Sequence, residues 1–376
     1  LDFEGTVYVA GYTESANAPT SGSTQNFGGS VDAYVFHLNA SGTALLYATF
    51  IGGSSDDRAL GIDVDANGSA YVVGFTSSQN FPVLAPLQAK SAGGRDAFIL
   101  KLNPSGNGLM YSTYFGGSGS DAAYAIDVDA FNQPYIAGET TSTNFPLKAA
   151  FQTTNRGGMD VFTLKINFNG ALVYSTYFGG AGNDGARGIA VSANQLTPYI
   201  TGYTWSTNFP VWNPWQGASG GGQDAFILRF NSDANALVFS SYLGGAGGSA
   251  GLPEMGMAVA LDPFNNVYVA GTTSSLNFPI INAYQPTFGG GSQDAWLRKL
   301  DSGGVTVYST FLGGAGIDIA NAVRVDANRR AYVAGYTSSV NFPLQAATQS
   351  VHGGAYDAFV TEFEAAGTTL IFSTLV

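Results

Sequence analysis

Apolar and polar positions alternate with period two in short runs along the whole chain, and the runs come in sets. Between Ala122 and Gly180 four runs follow one another: Ala123–Asp129, Pro134–Thr140, Met159–Asn167 and Ala171–Phe178. Such alternation puts every second side chain on one face of a strand, whereas a helix would return apolar residues at every third or fourth position. Aromatic and β-branched residues dominate the last three runs, as sheets buried on both faces prefer. The first run is narrower, with Ile126 and Val128 among Ala125 and Asp127, and its small residues suit an innermost strand where neighbouring sheets converge. These runs are strands A to D.

The set repeats. The glycine that closes strand B recurs at Gly11, Gly74, Gly138, Gly202, Gly271 and Gly335, with gaps of 63, 64, 64, 69 and 64. The aspartate that opens strand C recurs at Asp32, Asp96, Asp160, Asp224, Asp294 and Asp357. Two unrelated marks with one period define tandem units, here approximately 1–53, 54–117, 118–180, 181–245, 246–314 and 315–376. Units of this size bury their cores against neighbours, so residues 1–376 are read as one domain.

Turn chemistry sets the topology. The A–B and C–D connections are tight, as in Asp65-Ala66-Asn67-Gly68 and Asn103-Pro104-Ser105-Gly106, so the four strands make an antiparallel meander. The B–C connection is longer, from about Thr76 to Arg95, and repeats Asn-Phe-Pro, a glutamine and a glycine pair. Because strand direction alternates, the B–C and D–A connections fall on one face. The expected fold is all-β: a six-bladed β-propeller of four-stranded antiparallel blades. Only Leu1-Asp2, aligned with Val64-Asp65, precede strand B of the first unit. The first blade is therefore expected to lack most of its inner strand and to leave an edge for self-association. The last residues, Ile371 to Val376, end a strand D, and the natural protein is expected to extend past one or both ends.

Tyr-Phe-Gly-Gly-Ser-Gly-Ser-Asp (114–121), Ala-Ile-Asp-Val-Asp (125–129), Tyr-Val-Ala-Gly-Tyr-Thr-Ser-Ser (332–339) and Asn-Phe-Pro (341–343) resemble the SBBP β-propeller repeat. The resemblance covers essentially the whole chain. It implies a propeller on secreted or surface-attached bacterial and archaeal proteins, usually without an assigned activity.

Composition narrows the partners. Glycine supplies 51 of 376 residues, about twice the usual share, and most of it sits at fixed places in the repeat, where it marks turns. The 14 basic side chains are outnumbered by 26 acidic ones, for a formal charge of −12. Phosphate binding needs a concentrated basic face, so nucleic acid is excluded as the expected partner, and a cation, a glycan or a protein fits better. Without cysteine there is no disulfide framework or thiolate metal site. No run reaches the ~18 to 20 apolar residues of a membrane span, so no insertion is expected. Few lysines among many threonines, asparagines and glycines resemble exported surface proteins, which points to an extracellular or cell-surface location.

Several side chains are candidates for chemistry. The aspartates that open strand C can accept backbone N–H groups from the long loop, as Asx turns do. A second series, Asp57, Asp121, Asp184 and Asp318, lies four residues after the second glycine of each D–A connection, with Ser249 or a neighbour in its place in the fifth unit. These carboxylates are candidate Ca²⁺ ligands, with turn capping as the competing reading. Asp63-Val-Asp65-Ala-Asn67-Gly68 opens like an EF-hand loop, but Gly74 stands where the bidentate glutamate belongs, so a hairpin turn explains it better. Strand C carries a charged position in each unit, His37, Lys101, Lys165, Arg229, Lys299 and Glu362, suited to packing between blades with the head on an acidic neighbour.

Departures from the repeat are the better guide to function. Trp205, Trp212 and Trp215 share one B–C loop, where other copies carry Ser77, Ser142, Ser274 and Ser338 in place of Trp205. Five extra residues follow Gly245, in Gly248-Ser249-Ala250-Gly251-Leu252-Pro253-Glu254. Exposed tryptophan stacks on sugars or anchors a partner, so Trp205, Trp212, Trp215 and Glu254 are the candidate ligand-binding residues; the alternative is that the rings fill a core layer. The expected function is a non-catalytic recognition or assembly scaffold for protein or glycan partners. The alternatives are a carbohydrate-active hydrolase or lyase using Asp184 and Glu254, and a structural subunit of a surface layer or fibre. Fold does not choose among them.

Overall fold

A computed structural model describes residues 2, 4–23, 25–247 and 252–376. Among these residues there is no helix, and so none long and apolar enough to cross a membrane. The first blade holds β1 (Val7–Thr13), β2 (Asp32–Leu38) and β3 (Leu45–Ile51). The second holds β4 (Asp57–Val64), β5 (Ala70–Thr76), β6 (Asp96–Leu102) and β7 (Leu109–Phe115), and the third β8 (Asp121–Val128), β9 (Pro134–Thr140), β10 (Asp160–Ile166) and β11 (Leu172–Phe178). The fourth blade is β12 (Asp184–Val191), β13 (Pro198–Thr204), β14 (Asp224–Phe230) and β15 (Leu237–Leu243). The fifth is β16 (Met255–Leu261), β17 (Val267–Thr273), β18 (Asp294–Leu300) and β19 (Thr306–Leu312), and the sixth β20 (Asp318–Val325), β21 (Ala331–Thr337), β22 (Asp357–Phe363) and β23 (Leu370–Leu375). Every sheet is an antiparallel meander in chain order, and the fold class is a six-bladed β-propeller with a three-stranded first blade.

The chain divides into two compact units, Leu1–Gly179 with Asp233–Asn235, and Gly180–Ser232 with Ala236–Val376. Each carries three blades. In the first unit one core cluster joins Val35 and Tyr47 of the first blade to Phe81, Phe98 and Tyr114 of the second, and another joins Tyr71 and Phe115 to Ile136, Phe145 and Phe162. In the second unit the same arrangement joins Tyr199 and Phe239 to Phe278 and Trp296, and Leu297 and Tyr308 to Val333 and Phe359. Every layer draws on two successive blades, so a lone repeat would expose half of each apolar face to water.

The strand B glycine has a steric cause. A Cβ on Gly74 would lie 1.9 Å from the Arg58 carbonyl oxygen of the inner strand, and on Gly138, Gly202, Gly271 and Gly335 it would lie 2.1, 2.0, 1.9 and 1.9 Å from the corresponding carbonyls. The inner strand bulges beside it, with the register shifting between Ala59 and Gly61 and at the equivalent places in the other four blades. Gly74→Ala is expected to cost about 2–3 kcal/mol in urea unfolding, because backbone on both sides must move. A loss below about 0.5 kcal/mol would mean the strands have room to part.

The B–C connection does more than lie on one face. Its second half pairs with strand D of its own blade, through Leu84 with Ser112, Lys148 with Ser175, Trp212 with Ser240, Ile281 with Ser309 and Gln345 with Ser373. The loop thereby covers part of the outer edge of the sheet, where unpaired N–H and C=O groups would otherwise template aggregation. The repeated glutamine serves this turn: Gln88 Oε1 accepts the Gly116 N–H at 3.0 Å and its Nε2 donates to the Lys90 carbonyl at 2.9 Å.

Candidate functional site

The carboxylates singled out after the glycine pairs are structural latches. Asp121 is fully buried, at the first position of β8. Its Oδ2 accepts the Gly117 N–H at 2.8 Å and the Ser142 hydroxyl at 2.8 Å, and its Oδ1 accepts the Thr140 hydroxyl. The next two N–H groups of the loop are held by the same segment: Ser118 donates to Asn144 Oδ1 at 2.8 Å and Gly119 to Ser142 Oγ at 2.8 Å. Three successive backbone donors of an otherwise irregular loop are thus satisfied by one carboxylate and a Thr-x-Ser-x-Asn segment. Asp57 with Thr76, Ser78 and Asn80, and Asp318 with Thr337, Ser339 and Asn341, repeat the arrangement. Asp184 does the same with Ser206 and Asn208.

In the fifth blade the latch is Glu254. Gly245 donates to its Oε2 at 3.0 Å and Thr273 to its Oε1, while Ser275 and Asn277 hold Gly247 and Ala246. Met255 pairs with Thr272, so Glu254 stands opposite Thr273, the register that aspartate keeps in the other blades. This corrects two sequence readings. The replacement for the missing aspartate is Glu254, carried past the five-residue insertion, while Ser249 and residues 248–251 lie outside the described residues. Glu254 is also fully buried, with one oxygen engaged by Gly245 and the other by Thr273, and so does not face a ligand beside the tryptophans.

A second carboxylate adjoins each latch. The aspartates that open strand C accept loop N–H groups as the Asx reading expects: Gly28 to Asp32 at 2.7 Å, Ala92 to Asp96 at 2.7 Å and Gly220 to Asp224 at 2.8 Å. The other oxygen, Oδ1, of Asp32, Asp96, Asp224 and Asp294 is buried and receives no hydrogen bond. It faces the first glycine of the pair, where a Cβ on Gly116 would lie 2.3 Å from Asp96 Oδ1 and 2.6 Å from Asp121 Oδ2. Burial pushes Asp57, Asp121, Asp184, Asp318 and Glu254 above the usual carboxylate range against the pull of their hydrogen bonds, and Asp294 is pushed up to about 7 by burial and by Asp318.

These residues do not fit calcium, which takes about six to eight oxygen ligands. Asp57, Asp121, Asp184 and Asp318 sit in four different blades with their oxygens turned to Gly, Thr and Ser donors, and no three metal-capable side chains gather among the described residues. The EF-like stretch is a turn: Asp65 Oδ1 accepts the Asn67 and Ser69 N–H groups at 3.0 Å each. Its Oδ2 lies 2.8 Å from Lys101 Nζ, the strand C cation, which also sits over the Tyr71 ring.

The three tryptophans part company. Trp205 takes the residue position beside the latch, with its backbone N–H on the Asn183 carbonyl, and the residue is 38% exposed. The same backbone contact places Ser77, Thr141 and Ser338 at this position, so Thr141 and not Ser142 is the third-blade equivalent. Trp212 exchanges two backbone hydrogen bonds with Ser240 on the outer strand and is 57% exposed. Trp215 is half-buried against Phe239, with the Arg298 guanidinium 5.0 Å above its ring.

No family model matches the chain, and no curated protein matches it. Among solved structures it is similar to the quinohemoprotein alcohol dehydrogenase from Comamonas testosteroni, at 10% identity and a TM-score of 0.45. The alignment covers 98% of this chain and 59% of that one, so the chain spans less than two thirds of its neighbour's length.

Proposed function

We propose that this protein is a non-catalytic recognition and assembly scaffold, outside the cell or on its surface, that takes a glycan or protein partner through Trp205 and Trp212. The observation that carries this reading is the exposure of two large indoles in one loop, at positions where the other blades place Ser77, Thr141, Ser274 and Ser338, and Leu84, Lys148, Ile281 and Gln345. Holding an apolar ring in water has no folding benefit, while a flat ring with one N–H suits a sugar face or a partner's pocket. The resemblance to the SBBP repeat supports the same setting. Against the hydrolase alternative, Asp184 and Glu254 are spent inside separate blades as latches.

The double variant Trp205→Ala/Trp212→Ala is expected to lose binding on a glycan array while its melting temperature stays within roughly 2 °C. Trp215→Ala, which opens a gap beside Phe239, is expected to melt lower with binding retained. Wild-type protein that binds nothing on the array, or binding that survives the double variant, overturns the reading.

A further inference from the structure

In the second unit, the layer between the fourth and fifth blades holds a charge where other layers are apolar. Strand β18 turns Trp296 and Leu300 towards Phe239 of the fourth blade, and alternation puts Arg298, between them, on the same face. The same strand position is Phe36, Leu100, Leu164 and Leu228 in the first four blades and Thr361 in the sixth. Thr306 departs as well: it pairs with Leu300, and the residues in that register elsewhere are Leu45, Leu109, Leu172, Leu237 and Leu370. The two departures meet, because Arg298 Nη2 donates to Thr306 Oγ1.

That bond leaves most of the guanidinium without a partner. Arg298 is 2% exposed, and its Nε and Nη1 are buried and find no acceptor. The indole Nε1 of Trp215, whose ring centre lies 5.0 Å from the guanidinium carbon, is buried and unpartnered too. Other strand C cations reach an oxygen: Lys101 lies 2.8 Å from Asp65, Lys165 lies 3.8 Å from Asp129, and Lys299 donates to the Ala365 carbonyl at 3.0 Å. Among the described residues no carboxylate pairs with Arg298, and burial pushes its value down to about 10. A guanidinium kept from water with donors unused is destabilising, so its place at a leucine position points to an acceptor from outside the chain. Water would serve the donors and leave the charge; an anion serves both.

We propose that Arg298 and the Trp215 indole N–H form an anion subsite beneath the tryptophan loop, which takes the carboxylate or sulfate of an acidic sugar when the Trp215 ring turns aside. Trp215 is half-buried, and rotation of this one side chain admits a ligand while the loop backbone stays held by Trp212 on Ser240 and by the Gln216 N–H on Ser241 Oγ at 3.0 Å. Thr306 fixes the guanidinium from the side of its own blade. A chain of net charge −12 repels acidic ligands in general, and a guanidinium in a low-dielectric place attracts one more strongly than an exposed cation does. The sugar rests on the reading of Trp205 and Trp212 given above; the anion subsite itself does not.

Thermal melting of the full chain tests the subsite without any glycan. Sodium glucuronate and sodium sulfate are compared with sodium chloride at matched ionic strength, with glucose as the neutral control. Sulfate strengthens folding generally, so the quantity read is the excess shift of the wild type over Arg298→Leu/Thr306→Leu, which restores the pair seen at Leu100 and Leu109. The double variant is expected to melt at or above the wild type in chloride, and at least one of the two anions to give a wild-type excess of roughly 2 °C or more. Arg298→Lys keeps the charge and is expected to keep part of that excess, which holds the test open should the double variant fold poorly. An excess with glucuronate alone assigns uronates, and with sulfate alone sulfated sugars. On a glycan array, acidic glycans are then expected to bind the wild type at least roughly tenfold more tightly than the double variant, with neutral ones binding both alike. No excess with either anion, the same shift in the double variant, or a glucose shift equal to that of glucuronate overturns the inference. Loss of the array signal in Trp205→Ala/Trp212→Ala bears on the sugar reading alone, so the two fail separately.

Discussion

Asp121→Ala is expected to lower the stability of the first unit by about 3–4 kcal/mol, and its melting temperature by roughly 10 °C. The substitution leaves the Gly117 N–H and the hydroxyls of Thr140 and Ser142 without their acceptor in a buried place, and it opens a cavity where the carboxyl stood. Hydroxyls turn to find other partners at modest cost, but a loop N–H does not. Asp121→Asn keeps an oxygen for Gly117 and Ser142 and presents its amide to Thr140 Oγ1, which already accepts the Ser142 N–H, so a loss of about 1 kcal/mol is expected. Thermal and urea unfolding of both variants check this. Equal losses in the two would mean that charge, rather than the pattern of acceptors, holds the connection between β7 and β8.

That latch shows what the sequence exposes and what it hides. The strands were legible because period-two alternation survives in every copy: the run read as Pro134–Thr140 is β9, and the other three runs of that unit differ from β8, β10 and β11 by one or two residues at their ends. The missing inner strand was legible too, since too few residues precede strand B. The role of Thr-x-Ser-x-Asn was present in the repeat but silent, because its meaning depends on a loop from the preceding blade that sequence does not bring near. Glu254 shows the same limit. A five-residue insertion breaks the spacing while the strand register restores it, so only the pairing of Met255 with Thr272 reveals the equivalence. The tryptophans were visible as departures, but which side of a loop each ring takes is decided by pairing with the outer strand, and it separates Trp212 from Trp215.

Stability is expected to fall as the pH rises from about 5 to about 8, the reverse of a protein held by exposed ion pairs. Asp294 carries the largest single share. Its ordinary value of 3.8 is pushed up to about 7 by burial and by the facing Asp318, with only the Gly289 N–H acting against them. Between those two values the folded chain keeps a proton that the unfolded chain has released, so each step up in pH favours unfolding. The full window is worth about 4 kcal/mol at ~1.4 kcal/mol per pH unit. Asp32, Asp57, Asp96, Asp121, Asp184, Asp224, Asp318 and Glu254 are raised by burial and act in the same direction. Groups whose values are lowered act against them, and two of these are buried beside the blades' own strands. His37 is held below its usual 6.5 by burial, so it adds stability as the pH climbs towards that value. Asp65 is lowered by Lys101 and by the Ser69 and Asn67 N–H groups against the cost of burial, and its contribution is lost only below 3.8. Eight carboxylates and Asp294 outweigh one histidine, which places the maximum at or below about pH 4, where the unfolded carboxylates begin to release their protons. Asp294→Asn removes the largest titration while keeping an acceptor for Gly289, so urea unfolding at about pH 5 and about pH 8 should show a smaller difference than in the wild type, chiefly through a gain at the higher pH. A wild-type stability that rises over this interval would mean that the buried carboxylates are ionised when folded and that another charge, absent from their surroundings here, compensates them.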